Sequence, residues 1–185
     1  MVTEFDAADE KAEAAALGFF EQCMEEGWVV DGVISSSDAQ AAALWRLREG
    51  ITESLAAYKP YKNDISVRIS RVPAFMAEMQ ALLAEGYPDF DVVWFGHIGD
   101  GNLHINVLKP DGLDYPAFVA QCEQVTALLV DTLARHEGSI SAEHGIGLVK
   151  KPWLSSVRSP AEIALMGGIK KVLDPNGILN PGKLL

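Results

Sequence analysis

Three observations lead this sequence to predict an α+β fold, with helices covering one face of a mixed or antiparallel sheet. Runs with apolar residues at helical spacing alternate with short strand-like runs. Two of the strand-like runs, "DVVWFGHI" and "LHINVLK", are separated only by a glycine-rich stretch, which makes them a hairpin. The hairpin counts against the competing architecture, a doubly wound parallel sheet. Finally, 185 residues at 49% hydrophobic and 22% charged are enough to bury the core of a single domain.

The elements follow in order. "VTEF" reads as a short strand entering the helical run "AADEKAEAAALGFFEQCMEEG", and "WVVDGVIS" reads as another strand. Ser37 opens a capping box, "SDAQ", with Gln40 at the third helical position, and the helix it starts continues through "AAALWRLREGITESLAAY" until Pro60 ends it. "NDISVRIS" alternates like a strand, and a helix follows Pro73 over "AFMAEMQALLAEG". After the hairpin, Asp114 and Pro116 start a long helix that runs to Glu137, where Gly138 stops it. "SISAEHGIG" reads as a strand leaving into a glycine-rich turn. Ser159 and Glu162 form a second capping box, with Pro160 at the first helical position, and Asp174 to Gly177 form a turn.

Composition narrows the function. A formal net charge of -11 argues against nucleic acid as a partner, since phosphate binding needs a basic face. Cys23 and Cys122 lie outside any CxxC spacing, which fits reduced thiols in a cytoplasmic protein. No segment approaches the ~20 apolar residues of a membrane span. The acidic opening "MVTEFDAADEK" lacks the basic-then-apolar pattern of a signal peptide. There is neither a GxGxxG nor a P-loop to cradle a cofactor.

Two of the four histidines flank the hairpin turn in "FGHIGDGNLHINV". With Gly99-Asp100-Gly101-Asn102 as the loop, Ile98 faces Leu103 and His97 faces His104, and opposed Cβ atoms lie ~4.5–5.5 Å apart on one face. That separation suits two nitrogens on one metal ion. A half-buried, hydrogen-bonded histidine pair is the competing explanation. Asn106 falls on the same face. In "SAEHGIG", Glu143 is a candidate third ligand, giving a two-histidine, one-carboxylate set with open positions, and His144 is then available as a base. A strand-end carboxylate and a capping imidazole would have the same spelling.

In the helix after Ser37, Arg48 lies in the apolar stripe of Leu44, Ile51 and Leu55, whereas Arg46, Glu49 and Glu53 share the opposite face. An inward guanidinium needs an anion, either an internal carboxylate or a bound ligand that its planar fork would clamp. Thr52 faces the same way one turn on, and Lys62 follows the helix.

Taken in order, "LWRLREGITE", "YKNDIS", "GHIGDGNLHINV", "SAEHGIGLVKK" and "LDPNGILNPGKLL" resemble the C-terminal domain of the FAD-linked 2-hydroxyacid dehydrogenases, whose members act on D-2-hydroxyglutarate, D-lactate or glycolate. The motifs look closest to the enzymes of the first substrate and cover the chain from about Glu4 to Leu185. The resemblance implies a ferredoxin-like cap, residues 1–185 as a single domain, with FAD bound mainly by an N-terminal half absent from this chain. It implies His97, His104 and Glu143 as ligands of a divalent metal, zinc for this donor set. Arg48, Thr52, Lys62 and Asn106 are implied as substrate holders and His144 as the catalytic base. The implied reaction oxidises a D-2-hydroxy acid to a 2-keto acid by hydride transfer to the flavin, with electrons passing on to an electron-transfer flavoprotein. One departure is Asn63, where an aromatic residue is more usual; it bears on the aim of Lys62. Two other functions fit the residues without the resemblance: a self-contained metal-dependent hydrolase or lyase, and a non-catalytic binding module.

Overall fold

The computed structural model describes residues 1–5 and 9–183. Ala7 and Ala8, at the start of the first helical run, and Leu184 and Leu185, at the end of the last motif, lie outside the described residues. The chain divides into two compact units, Met1–Ser54 and Leu55–Leu185.

In the first unit, helix α1 (Glu10–Glu25) starts at Asp9, whose side chain accepts the Ala12 amide at 2.9 Å. It ends where Gly27 turns to a φ of 71° and the Trp28 and Val29 amides both donate to the Cys23 carbonyl. The strands expected over 2–5 and 28–35 are irregular backbone instead. A strand is held by its ladder, and among the described residues this unit holds no partner for one. Trp28 is 70% exposed and Val30 94%.

The helix expected from Ser37 to about residue 58 is divided into α2 (Asp38–Glu49) and α3 (Ile51–Ala56) at Gly50. Glycine is, after proline, the residue least able to hold a helix interior, and the Ser54 hydroxyl also donates to the Gly50 carbonyl at 2.9 Å, alongside the Ser54 amide. At the start of α2 Ser37 Oγ accepts the Gln40 amide at 3.3 Å as expected. The return bond of the box differs: Gln40 Oε1 accepts from the amide and hydroxyl of Ser36.

The second unit holds the sheet. Strands β1 (Tyr61–Ser66), β2 (Val92–His97) and β3 (Asn102–Val107) pair antiparallel in the order β1-β3-β2. Between β1 and β2 run a 3₁₀ turn (Ile69–Arg71) and α4 (Val72–Gly86); after β3 comes α5 (Tyr115–Arg135), capped by the Asp114 side chain. The strand expected in "SISAEHGIG" is reduced to one antiparallel bridge, Ser139 with Ser66, with the Ala142 amide donating to the Asp64 carbonyl at 3.4 Å. This fringe lies beside β1, so the order is that of a ferredoxin-like sheet whose fourth strand is rudimentary. Short helices α6 (Gly147–Lys150) and α7 (Leu154–Val157) precede α8 (Pro160–Leu173), whose Ser159–Glu162 capping box forms in both directions.

Strand alternation sends Ile65, Leu103, Ile105 and Val107 to one face of the sheet, where all are buried under Phe75, Met79 and Leu83 of α4 and Phe118, Cys122 and Leu133 of α5. The opposite face carries Lys62, Asp64, Phe95, His97, Asn102, His104 and Asn106. One face therefore builds the core and the other is polar. No helix among the described residues is long and apolar enough to cross a membrane.

Candidate functional site

The β2–β3 turn sets the site. The Asp100 and Gly101 amides donate to the carbonyls of His97 and Ile98, the Asp100 carboxylate accepts the Asn102 amide at 3.2 Å, and Gly101 sits at a φ of 76°. A Cβ on Gly101 would lie 1.9 Å from the Val67 carbonyl oxygen, so glycine is obligatory there. These bonds place the loop at residues 98–101 and draw Asn102 into β3. His97 consequently pairs with Asn102, and Phe95 stands opposite His104. The direct His97–His104 opposition expected from the sequence is corrected to a diagonal one. Because the offset is two residues, both imidazoles stay on one face.

The diagonal still brings them together. Their ring centroids are 6.1 Å apart at 76°, and Phe95 packs against His104 at 4.9 Å. Glu143 reaches over from the loop after the Ser139 bridge. Its Oε1 is 3.7 Å from His97 Nε2, 3.9 Å from His104 Nε2, and accepts from Asn102 Nδ2 at 3.2 Å. One donor atom from each of His97, His104 and Glu143 lies within 4.8 Å of the other two, a group able to hold a metal ion. Two ligands at ~2.0–2.1 Å from one zinc ion are at most about 4.2 Å apart. The two distances to Glu143 fall inside that limit.

Beneath the three lies Asp64, a residue that no motif in the sequence singles out. In the middle of β1 opposite His104, it is 4% exposed. Its Oδ2 accepts the amides of Glu143 at 3.1 Å and His144 at 3.3 Å, and its Oδ1 is 3.4 Å from His104 Nδ1. Burial pushes its pKa up, but the two amides and the nearby Lys150 ammonium outweigh that, and the net shift is downward. Lys150 donates to the Asp64 carbonyl at 2.9 Å and lies 3.8 Å from Oδ2; burial lowers its own pKa. The one signal in the sequence is chemical: aspartate is depleted in strands, so one at the centre of "NDIS" needs a reason to be there.

The remaining candidates fall as follows. His144 is exposed, with Nδ1 3.8 Å from Asp64 Oδ2. Lys62 and Asn106 are ladder partners on the site face. Lys62 is exposed, whereas Asn106 is 3% exposed with its Nδ2 lacking a hydrogen-bond partner. Asn63 alternates to the helix-covered face, so its departure from an aromatic leaves the face of Lys62 unchanged. Arg48 and Thr52 belong to the first unit. Arg48 is half-buried, as are Leu44 and Ile51 of the same unit, but α2 has no fully buried residue, so burial alone does not impose an anion on it.

The sheet thus buries one face under α4 and α5 and carries a His-His-Glu group on the other. Residues 1–184 match the family described as FAD linked oxidases, C-terminal domain, and the chain belongs to that family. It is similar to a D-2-hydroxyglutarate dehydrogenase of Xanthomonas citri pv. viticola, 73% identical over 184 residues, covering 100% of this chain and 39% of that protein. A D-2-hydroxyglutarate dehydrogenase of Stutzerimonas stutzeri is 53% identical over 181 residues, covering 98% of this chain and 39% of the relative. A putative mitochondrial D-lactate dehydrogenase of Schizosaccharomyces pombe is 38% identical over 173 residues, covering 88% of this chain and 32% of the relative. The chain thus spans about two fifths of the length of the bacterial relatives.

Proposed function

We propose that this chain is the substrate- and metal-binding C-terminal domain of a flavin-dependent dehydrogenase that oxidises a D-2-hydroxy acid, D-2-hydroxyglutarate foremost, to its 2-keto acid, and that it is inactive alone. The observation that carries the reading is the convergence of His97, His104 and Glu143 in a chain of this family. Two imidazoles and one carboxylate suit a divalent cation, zinc above all, with coordination positions left for substrate.

Such a cation supplies positive charge beside the substrate hydroxyl as it ionises, and FAD, bound by a part of the enzyme outside this chain, supplies the hydride acceptor. His144 takes the hydroxyl proton at Nε2, the Asp64 carboxylate 3.8 Å from Nδ1 favouring a proton on that other nitrogen. Lys62 and the unpartnered Nδ2 of Asn106 hold carboxylate oxygens from the second unit. The family resemblance also implies substrate holding by Arg48, with its bidentate fork, and by Thr52. A dicarboxylate uses this many donors better than a monocarboxylate. The electron acceptor of the whole enzyme would be an electron-transfer flavoprotein or a similar protein. The free thiols Cys23 and Cys122 support a cytoplasmic location.

The test is reconstitution. The chain alone is expected to turn over no 2-hydroxy acid. Co-expressed with the flavin-binding portion of its enzyme, it oxidises D-2-hydroxyglutarate with a dye acceptor. A rejoined enzyme inert towards every 2-hydroxy acid would overturn the reading.

A further inference from the structure

We propose that Asp64 is the positioning residue of this site: it turns Nε2 of His104 towards the metal and fastens the Glu143–His144 segment over it. The inference rests on the ligand reading above and adds a residue to it. An aspartate buried in the centre of a strand is unfavourable unless each of its oxygens is used. Oδ2 is used by the amides of Glu143 and His144, at 3.1 Å and 3.3 Å, so one atom fixes the backbone under both a ligand and the base. Oδ1 is buried without a hydrogen-bond partner, and His104 Nδ1 stands 3.4 Å from it. An unmatched buried acceptor is costly, and a neutral imidazole protonated at Nδ1 relieves it. That tautomer leaves the Nε2 lone pair unprotonated, and Nε2 is the atom that faces Glu143 Oε1. Phe95 against the ring limits rotation away from this arrangement. Lys150, 3.8 Å from Oδ2 and bonded to the Asp64 carbonyl, offsets the buried charge. A single carboxylate thus aligns two segments that are 79 residues apart in sequence, from Asp64 to Glu143.

The experiment reads tautomers directly. Long-range 1H–15N correlation spectra of the metal-free chain, at about pH 8 where an ordinary imidazole is neutral, are expected to show His104 protonated at Nδ1. In Asp64→Asn the two backbone amides keep the amide oxygen, so the NH2 group faces His104 Nδ1. The ring then shifts to the Nε2-protonated form, and zinc affinity falls about 10–100-fold. A wild-type His104 protonated at Nε2 overturns the proposal, even if the variant fails to fold. So does an Asn variant with unchanged tautomer and unchanged zinc affinity. A wild-type chain that binds no zinc overturns the ligand reading instead, and the tautomer shift then decides the role of Asp64 on its own.

Discussion

His97 lies diagonally across the hairpin from His104, two residues out of direct opposition, and the two imidazoles nonetheless share one face with ring centroids 6.1 Å apart. The relationship depends on the turn. Gly101 is held at a φ of 76° with its Cα hydrogen turned to the Val67 carbonyl, where a methyl would lie 1.9 Å from the oxygen. Gly101→Ala is therefore expected to cost about 2 kcal/mol or more, from left-handed strain plus overlap with backbone that cannot yield. Urea denaturation of the two chains measures it. Equal midpoints would show that the turn does not set the register.

Substrate anchoring has its own expectation. Replacing Arg48 by Lys in the full enzyme keeps the charge and removes the planar fork. Losing one charge-assisted hydrogen bond of ~1.5–3 kcal/mol lowers kcat/KM for a dicarboxylate roughly 10–100-fold. Lys62→Ala should act in the same direction. Kinetics with D-2-hydroxyglutarate and D-lactate side by side test the idea, which fails if both substrates are unaffected by both variants.

Buried in α5 with no exposed surface, Cys122 has its thiol pKa pushed up by burial to about 11. At about pH 8 roughly one thiol in a thousand would be ionised, so alkylation in the folded chain should be slower than in urea by orders of magnitude. Peptide mapping after iodoacetamide treatment reads this out. Labelling of Cys122 at the rate of a free thiol would contradict the packing of α5 on the sheet.

Acid should loosen the turn after α8. The side chain of Lys170, then the amides of Leu179 and Ile178, hold the Asp174 carboxyl below the ordinary aspartate pKa. Its folded pKa being depressed, the stabilisation is complete above the unfolded value of about 3.9 and disappears as pH falls through the lower folded value. Between about pH 5 and pH 2 the wild type should accordingly lose more stability than Asp174→Asn. Parallel urea curves at the two pH values decide; an identical acid loss in both chains would remove Asp174 as the cause.

Features fixed by neighbours along the chain are legible in the sequence itself. The Ser159–Glu162 box, the Asp114 cap, the hairpin and the alternation that buries Ile105 while turning His104 outward are all local. Such features also single out His97, His104 and Glu143. The register is not legible, because the Asp100 side chain and the Gly101 conformation choose between loops of similar composition. Only an even offset preserves the two-histidine inference, since a slip of one residue would send one imidazole into the core. Asp64 escapes a local reading because its value lies in bonds to residues 143 and 144, which no local pattern reveals. The run 28–35 has strand composition but no ladder in its unit, and composition cannot supply a neighbour. At Gly50 the helical pattern of side chains continues, yet the backbone breaks there.

Zinc titration of the metal-free chain against a competing chelator, with His97→Ala, His104→Ala and Glu143→Ala in parallel, tests the central claim most directly. The result expected is one ion per chain, with each substitution weakening binding by at least tenfold while leaving the far-ultraviolet circular dichroism unchanged. A wild-type chain without stoichiometric binding, or three variants that bind as tightly as their parent, would contradict it.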